Sequence, residues 1–325
     1  MKTWQKNGIL TVALLAFGAA RMPFEAGLAK ELRIANLTPP KMEIGTSEKI
    51  GQTSSAVALG GLRTLVATFL NLRAFSFFQE KRWDDVADTS DTIVDLAPRT
   101  PYYWDTGAWN SAYNAASYYL YDSDLSALRK KEAWRNSILR GRAFLERGIR
   151  NNPGDWNLMA TLGSMLADPN KFTAFHDLDK TFSEAADAYR QAAATGNALP
   201  YVKRAELYSL ARVTGKEKDA LALATNLYAD EKNRMPTLLF LLFTLEFHQN
   251  PGIDPVKRAI EIFGSPEKAY ESLCLNWQRT KERFPVYGVA RTLEALEKML
   301  SVPADKSIFN KPLQPRPMTD DVFSQ

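Results

Sequence analysis

Four side chains suited to recognising another molecule follow one another along a predicted helix. Tyr102, Asp105, Trp109 and Tyr113 are separated by three, four and four residues, which is the spacing of one face of an α-helix. Tyr and Trp present broad, rigid faces at a low entropy cost, and each carries a polar atom at its edge. The Asp carboxylate accepts hydrogen bonds. The chemistry that this pattern predicts is binding.

The same helix has a second stripe, about 100° around the axis from the first. Its members are spaced four, four, three and four residues apart, and we expect them to pack in the core: Trp104, Ala108, Ala112, Ala115 and Tyr119. For the first stripe the residues leave two interpretations open. It either lines a binding groove or packs against a neighbouring element.

Residues with the types and spacing of a catalytic or metal centre are sparse. The two histidines, His176 and His248, are far apart and lack the spacing of a zinc hydrolase, and no nucleophile elbow or phosphate-binding glycine loop occurs. The single cysteine, Cys274, excludes an intramolecular disulfide and a thiolate-cluster zinc site. We therefore predict that the protein is not an enzyme and that it has no catalytic residue, metal site or cofactor.

Two groups of acids keep an alternative open. Asp84 with Asp85, and Asp122 with Asp124, could serve an all-helical glycoside hydrolase, which needs paired carboxylates. They lie at turns or helix starts, however, where a carboxylate complements the helix dipole. The segment from His176 to Asp179 is interpreted in the same way, as a loop whose aspartates cap a helix.

Composition limits the class of partner. In 325 residues, 45% are hydrophobic and 24% charged, as in an ordinary globular protein. The net charge of +4 is spread along the chain rather than gathered into a basic stripe, so nucleic-acid binding is not expected.

The N-terminus has the layout of a secretory signal. Lys2 and Lys6 precede an apolar run from Gly8 to Ala20, which is shorter than the ~20 residues of a transmembrane helix. Residues 1–29 are therefore predicted to be a signal peptide or an uncleaved signal anchor, with the anchor slightly favoured. The positive charge ahead of the run favours a chain whose bulk lies outside the cytoplasm.

The rest of the chain divides by composition. Residues 30–57, with Pro39, Pro40 and two glycines, are predicted to be an extended linker, and residues 310–325, with three prolines, a flexible tail. Residues 58–309 are helical almost throughout. The predicted helices are 58–79, 83–96, 102–121, 125–150, 156–167, 182–194, 201–213, 217–228, 235–249, 265–282 and 286–300. The helix 235–249, apolar on all sides, is predicted to be a core helix rather than a membrane span.

One interval organises these helices into pairs. Thirty-four residues separate Leu70 and Ala74 from Trp104 and Ala108, and a second helix closed by Pro98 lies between them. This pattern resembles the tetratricopeptide repeat. The resemblance covers about residues 58–230, with Gly163 as a further small residue and with irregular spacing after the first repeat. It implies an all-α, right-handed superhelical stack of antiparallel helix pairs.

The resemblance also implies a binding surface. In the repeat family the stripe of Tyr102, Asp105, Trp109 and Tyr113 lines a concave groove for peptides. On the preceding helix the corresponding positions are Asn71, Phe75 and Phe78. An asparagine there offers both a donor and an acceptor to a ligand backbone. The predicted function is a protein-binding scaffold.

A second resemblance concerns location. The segments around 59–74 and 98–104 are similar to membrane-anchored bacterial repeat proteins of unassigned role. It implies an envelope protein, anchored in the inner membrane or exported, that binds protein partners of an envelope assembly. A glycan-binding protein that uses the same aromatic residues is the alternative, although the helical-repeat glycan binders are lipoproteins and this chain lacks an N-terminal cysteine.

Overall fold

A computed structural model describes residues 49–280 and 284–311, with the backbone alone for residues 49–60, 279 and 280. All the regular secondary structure in the described residues is helical, so the predicted all-α class is confirmed. Within the described residues the twelve α-helices are α1 Lys49–Gln79, α2 Trp83–Leu96, α3 Pro101–Trp109, α4 Ala127–Asn151, α5 Trp156–Ala167, α6 Leu178–Ala194, α7 Tyr201–Leu210, α8 Glu217–Tyr228, α9 Pro236–Gln249, α10 Pro255–Phe263, α11 Pro266–Thr280 and α12 Val289–Met299.

Most predicted helices agree with the observed ones. Helices α2, α5 and α8 have the predicted bounds, and Asp155 and Asp177 cap α5 and α6 by accepting from the backbone N–H groups of Leu158 and Lys180. Helix α10 was not predicted, although its end signals are present. Asp254 caps its start, and Gly264 ends it with a φ of 96°, in the left-handed region that glycine adopts without strain.

Helix α1 begins at Lys49, within the segment predicted to be a linker. Its first residues include Gly51 and a polar Gln-Thr-Ser-Ser run, whose low helix propensity is a weak signal that the apolar sequence following it can override. The predicted signal or anchor of residues 1–29, the linker as far as residue 48 and the tail beyond Lys311 lie outside the described residues.

Glycines bring α3 and α4 into close contact. A Cβ atom added to Gly141 would lie 2.6 Å from the Cβ of Ala112 and 2.9 Å from the carbonyl oxygen of Ala108. On the same face of α4, a Cβ on Gly148 would meet Trp104 at 2.8 Å. These glycines therefore let the two helices approach each other closely.

The largest apolar cluster of the described residues surrounds α9. Leu238, Phe240, Leu241 and Leu245 are fully buried, and α7, α8 and α10 to α12 contribute to the same cluster. The predicted core helix is confirmed. Among the described residues, no helix is both long enough and apolar enough to cross a membrane.

Candidate functional site

The candidate site is built on α3. Pro101 occupies its first turn, and the indole of Trp104 is buried and donates to the carbonyl oxygen of Pro98 at 2.8 Å, which fixes the start of the helix. Beyond Trp109 the chain continues as two π-helical stretches, Asn110–Ala115 and Tyr118–Asp122. Such wider turns are rare and occur frequently at functional sites.

An aromatic stack stands at the junction of the α-helical and π-helical parts. The rings of Trp109 and Tyr113 are 4.1 Å apart and nearly parallel, with an interplanar angle of 10°. The Lys171 ammonium lies over the Tyr113 ring, 3.8 Å from its centre. Trp109 itself is 51% exposed. A large flat surface is thus held in one orientation while remaining open to solvent.

Lys171 is a residue of this site that was not predicted from the sequence. It is buried and forms an ion pair with Asp168 at 3.3 Å. Burial lowers the pKa of the ammonium, and the neighbouring carboxylate opposes that effect. The only sequence signal is the three-residue spacing of Asp168 and Lys171 in a loop after α5, which by itself does not point to α3.

Hydrogen bonds join the stripe to α5. Asp105 bonds to Thr161, and Tyr113 bonds to Ser164. Burial raises the pKa of the Asp105 carboxyl, and the bond from Thr161 partly offsets this; the pKa of Tyr113 is raised strongly, mainly by burial. The half-buried members of the stripe are therefore anchored by α5.

Tyr102, at the start of the stripe, is more open than Trp109. It is 60% exposed, and its ring touches that of its neighbour Tyr103 edge to face. The stripe therefore has two outward-facing aromatic side chains, Tyr102 and Trp109, with the anchored Asp105 between them.

The three predicted positions on α1 are placed differently. Phe75 is 59% exposed, whereas Phe78 packs edge to face on Trp83 with ring centres 5.2 Å apart. The half-buried Asn71 has no hydrogen-bond partner among the described residues. Within that part of the chain, no ring contact or hydrogen bond joins these three side chains to the stripe on α3. The structure leaves Asn71 and Phe75 available to a ligand and places Phe78 in a packed cluster.

Two of the four acids considered for hydrolysis, Asp85 and Asp122, form ion pairs at the surface. Asp84 and Asp85 lie in the first turn of α2, and Asp85 forms an ion pair with Arg82 at 2.8 Å. Asp122 pairs with Lys81 at 3.3 Å. No group of three or more His, Cys, Asp or Glu side chains within residues 61–278 and 284–311 could hold a metal ion.

The remaining residues that could take part in chemistry are the two histidines, which contact other side chains, and the half-buried Cys274. His176 contacts Arg135, and the ring of His248 lies 4.1 Å from that of Tyr287. Burial raises the pKa of the Cys274 thiol to about 11, which makes it a poor nucleophile at neutral pH.

Comparison with known proteins adds no relative: no family model matches the chain, and no curated protein matches it.

Proposed function

We propose that this chain is a protein-binding scaffold that grips a segment of its partner on the α3 stripe. In this proposal the helix pairs stack as a right-handed, tetratricopeptide-like superhelix. Supporting this arrangement, each of the helices α3 to α12 packs on its chain neighbour, and α3 also contacts α5, the first helix of the next pair. The small residues Ala74 and Ala108, 34 apart, are both buried.

The observation that carries the proposal is the exposed Trp109 on its support. An isolated surface Trp loses side-chain freedom when it binds, whereas one already stacked on Tyr113 has given up much of that freedom beforehand. Rigid, amphipathic aromatic residues are the usual anchors of protein interfaces. The stack is therefore suited to hold one apolar side chain of a partner.

Polar groups of α3 and α1 complete the proposed mechanism. The Asp105 carboxylate can accept from a backbone N–H of the partner, and the Asn71 amide offers a donor and an acceptor. Phe75 and Tyr102 add exposed apolar area. An extended or helical segment bound here would have its backbone groups paired while its side chains cover the aromatic rings.

The proposed location is the bacterial envelope, with the helical domain outside the cytoplasm and residues 1–29 as signal or anchor. This part of the proposal is supported by the basic and apolar pattern of the N-terminus. Its partners are expected to be other proteins of an envelope assembly.

In-cell photocrosslinking tests the proposal. An aromatic photoreactive amino acid, which keeps a ring stacked on Tyr113, replaces Trp109 in the full chain. A matched chain carries it at Tyr121, which is also aromatic, close to Trp109 in sequence and 65% exposed. After detergent extraction, crosslinked partners are identified by mass spectrometry. We expect a short, reproducible set of envelope proteins from position 109 and none of them from position 121.

The variant Trp109→Ala provides a second test of the proposed partner binding. It removes a stack worth about 0.5–1.5 kcal/mol, so the melting temperature should fall by no more than a few degrees while partner capture is lost. A large loss of stability would instead assign Trp109 to structural packing and refute the proposal. Absence of crosslinked partners at position 109 would refute it as well.

Glycan binding remains the alternative because Tyr102 and Trp109 expose flat rings, on which a sugar face can stack, beside a carboxylate. A glycan array separates the two functions. Binding of a defined glycan that is lost in Trp109→Ala, without any crosslinked protein, would favour this alternative.

A further inference from the structure

The outward face of α1 carries apolar side chains that nothing in the described residues covers. Leu62, Leu65, Val66, Phe69 and Leu72 are between 39% and 63% exposed. Their spacing of three, one, three and three residues puts them on one side of the helix, over about 15 Å of its length. We call these five residues the α1 outer face.

The opposite side of the same helix is packed against the protein. Ala67 and Ala74 are buried in a cluster with Ile93 of α2 and with Ala97. Helix α1 is thus held by one side, and the α1 outer face must point away from the described core. A helix at the end of a helical stack normally presents a polar outer surface, so this apolar one needs a cover.

The charges beside this face have a single sign. Between Lys49 and Gln79 there is no Asp or Glu, and Arg63 and Arg73 are exposed. Neither arginine forms an ion pair within the part of the chain that the structure describes, and Arg73 lies over the ring of Phe77 at 5.3 Å. A binding surface with anionic groups at its edge and an apolar interior would complement the arginines and the apolar side chains of the α1 outer face.

These charges distinguish between two possible partners of the α1 outer face, a second copy of the chain and a lipid surface. A second copy would bring another face flanked by arginines and without a carboxylate to pair with them. An anionic lipid surface offers phosphate groups for the arginines and acyl chains for the leucines. The chain ahead of α1 also carries an apolar run, Gly8–Ala20, that begins after Lys2 and Lys6, so two membrane-compatible sequences occur in the same end of the chain.

We propose that the α1 outer face lies along an anionic lipid bilayer, with its leucines and Phe69 at the level of the upper acyl chains and with Arg63 and Arg73 at the phosphates. The helix lies on the membrane and does not cross it. This inference goes beyond partner binding on the α3 stripe and does not depend on it. It supplies a second membrane contact that orients the helical domain.

A depth-sensitive fluorophore tests the contact. In the full chain with Cys274→Ala, a cysteine replaces Phe69 and is labelled with nitrobenzoxadiazole; a matched chain carries the label at Met299, an apolar residue of α12 that is 55% exposed. Both are reconstituted into vesicles of phosphatidylglycerol and phosphatidylcholine, with and without a lipid that bears a doxyl quencher on its acyl chain. No partner protein is present, so the result is independent of the proposed peptide binding.

We expect the label at position 69 to shift to the blue and to lose most of its emission to the doxyl lipid, while the label at position 299 does neither. Quenching by aqueous iodide at position 69 would overturn the proposal. So would a blue shift without doxyl quenching, because that result means that protein, from a second copy or from another part of the chain, covers the face.

The arginines are tested by a double variant, Arg63→Gln with Arg73→Gln, in the same labelled chain. We expect doxyl quenching to decrease in vesicles that contain phosphatidylglycerol and to be unaffected in pure phosphatidylcholine. Equal quenching of the variant and the parent in both lipids would contradict the role given to the phosphates. Both arginines are exposed, so the melting temperature should remain that of the parent.

Discussion

The close contact between α3 and α4 allows a quantitative test of how this fold is held together. Gly141→Ala adds one methyl group to the middle of α4, where three heavy atoms lie within 3.1 Å of the new Cβ position. They belong to Ala108 and Ala112, and two of them are backbone atoms. A flexible side chain could rotate away, but a backbone oxygen and nitrogen move only if the two helices separate.

Two opposing contributions set the size of the effect. Alanine is favoured over glycine in a helix by about 1 kcal/mol. Overpacking costs about 1–3 kcal/mol, and the upper end applies because backbone atoms are involved. The difference leaves Gly141→Ala about 2 kcal/mol less stable. Because the entropy of unfolding increases with chain length, the melting temperature of a chain of this size should fall by about 3 °C.

The assay is thermal unfolding followed by circular dichroism, with Gly154→Ala as the matched control. A Cβ on Gly154 meets nothing within 4 Å, and the φ of this residue is outside the left-handed region, so its variant should melt with the parent protein or slightly above it. If Gly141→Ala melts as high as the control, α3 and α4 are not held at this distance by the glycine, and the packing argument is wrong.

Three further perturbations test the electrostatics of the described residues. Asp105→Asn should raise the melting temperature at neutral pH, because burial raises the pKa of Asp105 and its charge is costly above that pKa; scans at successively lower pH should show the difference vanishing once the parent carboxyl is protonated. Glu297→Ala should speed hydrogen exchange at the Ile308 amide, which donates to Glu297 at 2.8 Å. Burial tends to raise the pKa of Glu297 but its hydrogen bonds lower it overall, so the parent should lose this protection as the pH falls through that lowered pKa. Lys171→Met with Asp168→Asn should leave the melting temperature unchanged or higher, since a buried ion pair replaced by neutral groups is often neutral or stabilising, while partner capture falls.

The helices of this protein were largely predictable because their signals are local. Periodic apolar residues gave most of the spans, and Asp177, predicted to cap a helix, accepts from the backbone N–H of Lys180, three residues later. Helix α10 escaped because it is only 9 residues long, so that few turns of its pattern are present. Its cap Asp254 and its closing Gly264 show that end signals can identify a helix that periodicity misses.

The surface around Trp109 was predictable only in part. The spacing in α3 identified Trp109 and Tyr113 as members of one stripe, and they do stack. Lys171 is brought to Tyr113 by the path of the loop after α5, and no local pattern encodes that path. The π-helical turns likewise cannot be predicted from the helix propensities of their residues. They coincide with the segment where Gly141 lets α4 approach α3, which is a tertiary contact.

Features that are unfavourable on their own accumulate on this one surface. Asp105 is a half-buried carboxyl with a raised pKa, Lys171 is a buried ammonium with a lowered one, and Trp109 is a large aromatic residue left open to water. Packing and solvation alone would not favour any of these three residues. At each of the three positions a neutral polar residue would be more stable. Natural proteins retain such departures chiefly at functional sites. The raised pKa of Asp105, the lowered pKa of Lys171 and the exposed indole therefore support the proposal that this part of α3 binds another molecule.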